Sequence, residues 1–260
     1  MRKKYLDFLN LHNQSTPLLL GNTWDATSSR LMEKMGFKAI GTSSAAIAAM
    51  LGYEDGENMP FQEYLLVIQR ISQACQLPLS VDLEAGYGDD SIKVIENIKK
   101  LNELGVVGIN IEDSIVGNGS RKLVDPNVFT KKIEAIHHGL KREGIDIFIN
   151  LRIDTFLLNV PNPVEESIRR IDHYENFING IFLPCITNEN DIKKVVQHTS
   201  LPLNVMSIPN LPDFDTLGNL GVKRISTRNF LHDFIYQELK DKIHLMTAAG
   251  SFRQLFDQTD

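Results

Sequence analysis

LPLSVDLEAGYGDDSIKVIENIKKLNELGVVGINIED, residues 77–113, holds one complete structural repeat and most of the candidate chemistry of the chain. Its ends are the apolar runs LPLSVDLE (77–84) and VVGINIED (106–113). Between them, SIKVIENIKKLNELG carries apolar residues at helical spacing and closes on a glycine suited to a helix C-cap. A strand, a helix and a second strand in that order imply a parallel pair. The alternation continues in both directions. PLLLGN (17–22), KAIGTSS (38–44), IFINLRID (147–154), GIFLPC (180–185), LPLNVMS (201–207) and VKRISTR (222–228) bring the apolar runs to eight. Amphipathic segments such as SSRLMEKMG, FQEYLLVIQRISQAC, NVFTKKIEAIHHGLKREG, PVEESIRRIDHYENF and NENDIKKVVQHT lie between them, with no Pro-, Gly- or Ser-rich linker.

Near-continuous apolar strands are covered on both faces, as in an open doubly wound sheet or a closed barrel. Eight repeats favour closure, so the expected fold is an α/β (β/α)8 TIM barrel. One barrel domain over residues 1–260, with a C-terminal helical segment, accounts for the length. No GxGxxG follows the first strand and no GxxxxGK[ST] occurs, which removes the usual marks of nucleotide binding.

With 42% hydrophobic residues, 260 residues can bury a large core. Asp and Glu outnumber Lys and Arg by 33 to 27, a formal charge of -6, which argues against nucleic acid or an anionic membrane as partner. No apolar run approaches the roughly 18 residues that span a bilayer, and MRKKYLDFLNLHNQS lacks the apolar stretch of a secretory signal. The cytoplasm is the expected compartment. Cys75 and Cys185 are too few for a disulfide framework and read as core thiols.

Polar residues gather at the carboxyl ends of the apolar runs, where a barrel builds its site: Asn22, Ser43, Ser44, Asp82, Glu84, Glu112, Arg152, Asp154, Ser207 and Arg228. Asp82 and Glu84, two apart on one strand, are expected to share a face toward the barrel mouth. Glu112 ends the next strand, with Asp113 pointing the other way. Such carboxylates repel unless a cation lies among them, and hard oxygen ligands select Mg²⁺ or Mn²⁺ over zinc. The alternative, that they are helix caps and solvated rim charges, suits Asp89 and Asp90 better than Asp82 and Glu112. In TSSAAIAAMLGYEDG (42–56), the backbone N–H groups of Ser44 and Ala45 can cradle a carboxylate at a helix start, or the small residues can serve close packing. Arg152 can grip an anion bidentately or form a salt bridge to Asp154 or the acidic rim. Trp24 either walls the pocket or packs. His137 and His138 lie on a solvated helix face, and VGNGSRKLVDP (116–126) reads as a mobile cover.

The pieces GNTWDATSSRL, GTSSAAIAAMLGYEDG, PLSVDLEAGYGD, GVVGINIEDS, NLRIDTF, GIFLPCITNENDI and LPLNVM, in this order, resemble the isocitrate lyase and phosphoenolpyruvate mutase superfamily from about residue 5 to about 245. The resemblance implies a homo-oligomeric (β/α)8 barrel, a dimer or tetramer, in which Mg²⁺ holds a small carboxylate or phosphonate substrate. It implies Asp82 as direct metal ligand and Glu84 and Glu112 as ligands acting through water. It further implies Ser44 and Ala45 as donors to the substrate carboxylate, Asp55 as the acid near the reacting group and Arg152 as the anion-binding arginine. Metal bound to the 2-oxo and carboxylate oxygens favours an enolate as a bond to the neighbouring carbon breaks. No cysteine lies between Cys75 and Cys185, so the KKCGH-type loop of true isocitrate and methylisocitrate lyases is missing. VGNGS offers Asn118 where the mutase and phosphonopyruvate hydrolase branch uses an asparagine. GYEDG and SVDLEAGYGD resemble less characterised, decarboxylase-like members. The expected activity is carbon–carbon cleavage of a small 2-oxo or 2-hydroxy (di)carboxylate, oxaloacetate first. Carbon–phosphorus chemistry and a non-catalytic metabolite-binding barrel are the alternatives.

Overall fold

A computed structural model describes residues 2–117 and 119–256. In chain order the strands are β1 (Leu18–Thr23), β2 (Ile40–Thr42), β3 (Leu79–Asp82), β4 (Val106–Glu112), β5 (Ser114–Gly117), β6 (Ser120–Leu123), β7 (Phe148–Arg152), β8 (Gly180–Phe182), β9 (Leu203–Met206) and β10 (Arg224–Ser226). The helices are α1 (Arg2–Leu11), α2 (Ala26–Lys34), α3 (Ser44–Leu51), α4 (Phe61–Ala74), α5 (Ser91–Glu103), α6 (Pro126–Arg142), α7 (Pro163–Tyr174), α8 (Glu189–His198), α9 (Phe214–Leu220) and α10 (Phe230–Ala249).

Eight parallel strands close into a barrel in the order β1-β10-β9-β8-β7-β4-β3-β2. All eight coincide with the apolar runs, because a barrel strand has lumen on one face and helices on the other. In β4 every residue is buried. The helices bury one stripe each: α6 places Phe129, Ile133, Ile136 and Leu140 against the strands, and Asp125 caps its start through Asn127 N at 2.9 Å. Asp90 caps α5 in the same way, accepting from Lys93 N at 2.8 Å.

Two elements lie outside the alternating pattern. The polar stretch after Glu112, read as a cover loop, forms the antiparallel hairpin β5–β6, with Ser114 opposite Leu123 and Gly117 opposite Ser120. Short alternating strands of this kind carry too little apolar signal to stand out from a polar loop. The second is α1, which closes the amino-terminal end of the barrel. Its Phe8 is wholly buried with Leu18, Leu20, Ala39, Val107 and Phe148. Gly108 permits this, since a Cβ there would lie 2.8 Å from the Phe8 ring. His12, just past α1, stacks on Phe148 at 4.3 Å, and its Nδ1–H donates to the Phe8 carbonyl at 2.8 Å.

In α10 only His232 is buried, while Phe234, Ile235, Tyr236, Leu239, Ile243 and Leu245 stand exposed. Among the described residues no helix is long and apolar enough to cross a membrane. Cys75 is in the core as expected, but Cys185 is only half-buried, because the chain turns out of β8 there through a left-handed φ of 70°.

Burial, aided by the Arg224 charge, holds the His12 imidazole down from 6.5 to about 3. The unfolded chain therefore binds a proton that the folded one refuses, and stability falls as pH drops from 6.5 toward 3. Between about pH 6 and pH 4, the unfolding free energy of the wild type should fall about 1.4 kcal/mol per pH unit more steeply than that of His12→Phe. Urea titrations across that range measure the difference.

Candidate active site at the barrel mouth

The carboxyl ends of the strands surround a cavity of about 350 Å³. Its wall includes Ser43, Ser44, Ala45, Asp55, Asp82 and Asn110 together with Arg121, Arg152 and Arg228, and Leu157, Phe182, Pro184 and Met206 supply apolar surface. Strand register places these groups. Asp82 pairs with Asn110 across β3–β4, and Glu112 with Arg152 across β4–β7.

Asp82 is fixed through its backbone. Its N–H donates to Thr42 Oγ1 at 2.9 Å, and its carbonyl accepts from the Tyr64 hydroxyl at 2.7 Å. The side chain is held by Ser44, whose hydroxyl lies 3.0 Å from Asp82 Oδ2 and 3.3 Å from Asp55 Oδ1. Ser43 caps α3 by accepting from Ala46 N. The N–H groups of Ser44 and Ala45, at the start of that helix, have no partner among the described residues and face an anion-sized space.

Asp82 and Glu84 do not share a face, contrary to the strand-based expectation. β3 ends at Asp82, and Glu84 adopts a left-handed φ of 52° that swings its side chain into an adjoining cavity of about 260 Å³. There Glu84 Oε2 accepts from Glu57 N at 2.9 Å and Oε1 from the Tyr87 hydroxyl at 2.7 Å, while Tyr87 N donates to Glu57 Oε1 at 2.7 Å. Glu57 and Tyr87 also have positive φ, so three left-handed residues clasp the loop bearing Asp55 to the end of β3. Burial, reinforced by Asp55 and Asp82, pushes the Glu84 carboxyl up to about 8.

Glu112 sits between two arginines. Arg121, from the hairpin, bonds its Oε1, and Arg152 Nη1 approaches its Oε2 at 2.9 Å. Arg152 Nε also binds Asp154 Oδ1 at 2.6 Å, so the salt-bridge reading of Arg152 and its place in the cavity wall both hold. Burial lifts Glu112 to about 7 against the pull of Arg152. It opposes the charge of Arg152 as well, but Glu112 and Asp154 outweigh it and hold that guanidinium well above its ordinary value. Asp113 points away from the cavity and pairs with the buried Arg170 at 2.8 Å.

Of the other sequence candidates, Trp24 is in the core, edge-on to His232 at 5.2 Å, and does not line the cavity, because the chain turns there into the cap of α2. Asn118 lies outside the described residues. Sequence reasoning missed Arg121, Asn110, Tyr64 and the Glu57–Tyr87 clasp. Arg121 had a signal, a cation in the segment that follows Glu112.

Among the described residues no three His, Cys, Asp or Glu side chains converge closely enough to enclose a metal ion directly. The donors present are oxygens: the Asp82 carboxylate in the cavity, burial of which raises its pKa against the opposing pull of Arg152, and Glu112 Oε2, buried without a well-aligned hydrogen bond. That set suits a dication that keeps most of its waters, as Mg²⁺ does, held by one carboxylate and through water by others.

The phosphoenolpyruvate phosphomutase family model matches residues 8–247. The chain belongs to the phosphoenolpyruvate mutase/isocitrate lyase superfamily of enzymes. It is 31% identical to an uncharacterized protein of Mycobacterium tuberculosis (strain H37Rv) over 223 residues, 85% of this chain and 81% of that one. It is 26% identical to the oxaloacetate decarboxylase of Pseudomonas entomophila over 211 residues, covering 78% and 70%. A solved Burkholderia cenocepacia J2315 structure with a phosphonomutase designation superposes with a TM-score of 0.87 at 32% identity, covering 93% of this chain and 99% of that one.

Tyr87→Phe removes one donor from the buried Glu84. The expected cost is about 1–3 kcal/mol in urea unfolding, with faster amide exchange through residues 55–58. Unchanged exchange there would mean that the clasp does not hold the loop.

Proposed function

We propose that the protein is a Mg²⁺-dependent lyase that cleaves a carbon–carbon bond in a small 2-oxo or 2-hydroxy dicarboxylate, with oxaloacetate as the substrate of choice. The observation that carries this reading is one cavity lined by Asp82 and the free N–H groups of Ser44 and Ala45 at the ends of β3 and β2, and by Arg228 after β10, three strands round the barrel from β3. Arg228 has no carboxylate partner among the described residues, unlike Arg121 and Arg152. A molecule with an anionic group at each end satisfies both sides.

Asp82 would hold the metal directly, with Glu112 and Glu84 reaching it through water. When bound, Mg²⁺ supplies Lewis-acid polarisation of the 2-oxo and adjacent carboxylate oxygens. The N–H groups of Ser44 and Ala45 orient that carboxylate, Ser44 and Asp55 flank the reacting carbon, and Arg228 takes the second carboxylate. Arg152 and Arg121 pair with Glu112 and Asp154 beneath the substrate, and the apolar face from Phe182 to Met206 excludes water. The whole chain acts as one barrel with its C-terminal helical segment, in the cytoplasm. The exposed apolar face of α10 supports a homo-oligomer, a dimer or tetramer, in which that face is covered.

Protein stripped with EDTA should release no CO₂ from oxaloacetate and regain activity with Mg²⁺, and Asp82→Asn should lose on the order of 10³-fold in kcat/KM. Phosphate release from phosphonopyruvate without action on oxaloacetate would overturn the reading in favour of carbon–phosphorus chemistry. Arg228→Gln should raise KM for oxaloacetate roughly 10- to 100-fold while leaving affinity for oxalate, which has no distal carboxylate, near the wild-type value.

A further inference from the structure

The lumen of a (β/α)8 barrel is ordinarily filled by layers of branched apolar side chains. Here the layer beneath the cavity holds an arginine. Arg224, on β10, is 1% exposed and lies between the aromatic floor of α1 and the mouth. Its Nη2 donates to Asn110 Oδ1 at 3.3 Å, and its Nε and Nη1 have no partner among the described residues. A guanidinium retained only for packing would have its donors satisfied, since each one buried unmet is costly.

The single bond it does make has a directional consequence. Asn110 Oδ1 also accepts from Asn150 Nδ2 at 2.9 Å, so both lone pairs of that oxygen are used. The amide nitrogen of Asn110 is thereby turned the other way, toward Asp82, its register partner across β3–β4 and its neighbour in the cavity wall, where it favours the charged form of that carboxylate. Burial pulls the Arg224 guanidinium down to about 9, and Asp82 is the carboxylate whose charge opposes that through the low-dielectric lumen. The buried His12, whose Nδ1–H is committed to the Phe8 carbonyl and whose Nε2 has no partner among the described residues, is held neutral by burial with the Arg224 charge adding to it.

We propose that Arg224 is a positioning residue that acts through Asn110 to hold the Asp82 carboxylate against Ser44 at the mouth of the barrel. This rests on the reading of Asp82 as the residue that holds the metal, but its geometric part can be tested apart from it.

The test compares wild type, Arg224→Met and Arg224→Lys by crystal structures without added metal, urea unfolding and Mn²⁺ titration. In Arg224→Met the Asp82 carboxylate should leave its 3.0 Å contact with Ser44 Oγ. Mn²⁺ affinity should fall about tenfold or more, the size usual for loss of a group that orients a ligand. Unfolding should occur at the wild-type urea concentration or above it, because an unpaired buried charge has been replaced by an apolar chain of similar length. Arg224→Lys, which keeps the charge but not the planar fork, should fall between the two in Mn²⁺ affinity. If Asp82 keeps its contact with Ser44 in Arg224→Met, the proposal is overturned whatever the Mn²⁺ affinity. Should that variant fail to fold, Asn110→Ser removes the link to Asp82, and the same displacement of Asp82 decides. A wild type that binds no Mn²⁺, with Asp82 displaced in Arg224→Met, supports the positioning role and overturns the metal reading instead.

Discussion

Carboxylates withdrawn from water at the barrel mouth must each find a compensating charge or donor, and the surrounding structure is organised by that demand. Asp82, Glu84, Glu112, Asp113 and Asp154 cluster where β3, β4 and β7 end, and burial drives the carboxyls of Asp82, Glu84, Glu112 and Asp113 toward protonation. Three arginines from three different elements answer it: Arg152 from β7, Arg121 from the hairpin and Arg170 from α7. Because an ion of this kind left without its partner costs several kcal/mol, each arginine ties its element to the rim. The β5–β6 hairpin is a case in point. Arg121 joins it to Glu112 and Asp154, and bonds Ser114 at its base.

The same demand sorts the cavity into parts with different work. Arg121 and Arg152 are spent on the protein's own carboxylates, so they stabilise the site more than they contact a ligand. Arg228, without such a partner among the described residues, is available to an incoming anion. Glu84, with one oxygen held by a backbone N–H and the other by Tyr87, secures the Asp55 loop before it can do anything else. Asp82 alone among these acids combines a rigid backbone anchorage with a side chain in the main cavity. This is the arrangement wanted of a residue that must present one carboxylate in one orientation.

The chain belongs to a superfamily of enzymes, and its relatives include proteins named oxaloacetate decarboxylases. The hairpin beside the site carries Arg121, which is paired with Glu112 and Asp154.

Much of this was legible in the order of residues. Eight apolar runs spaced by amphipathic segments specified the barrel, since period and burial are local properties that every strand and helix states for itself. The clustering of Asp82, Glu112, Arg152 and Arg228 at strand ends followed from the same register, because in a parallel barrel all carboxyl ends meet at one rim. Only the tertiary structure decided which of those groups share a cavity. Glu84 left the common face through a left-handed backbone turn that no periodicity announces, and Trp24 went to the core beside His232. Arg121 reached Glu112 from across a hairpin, and Arg224 met Asn110 across the lumen from a position 114 residues away in sequence. Such pairings depend on distances and angles set by the closed sheet, and charge compensation between distant positions leaves no local trace in the chain.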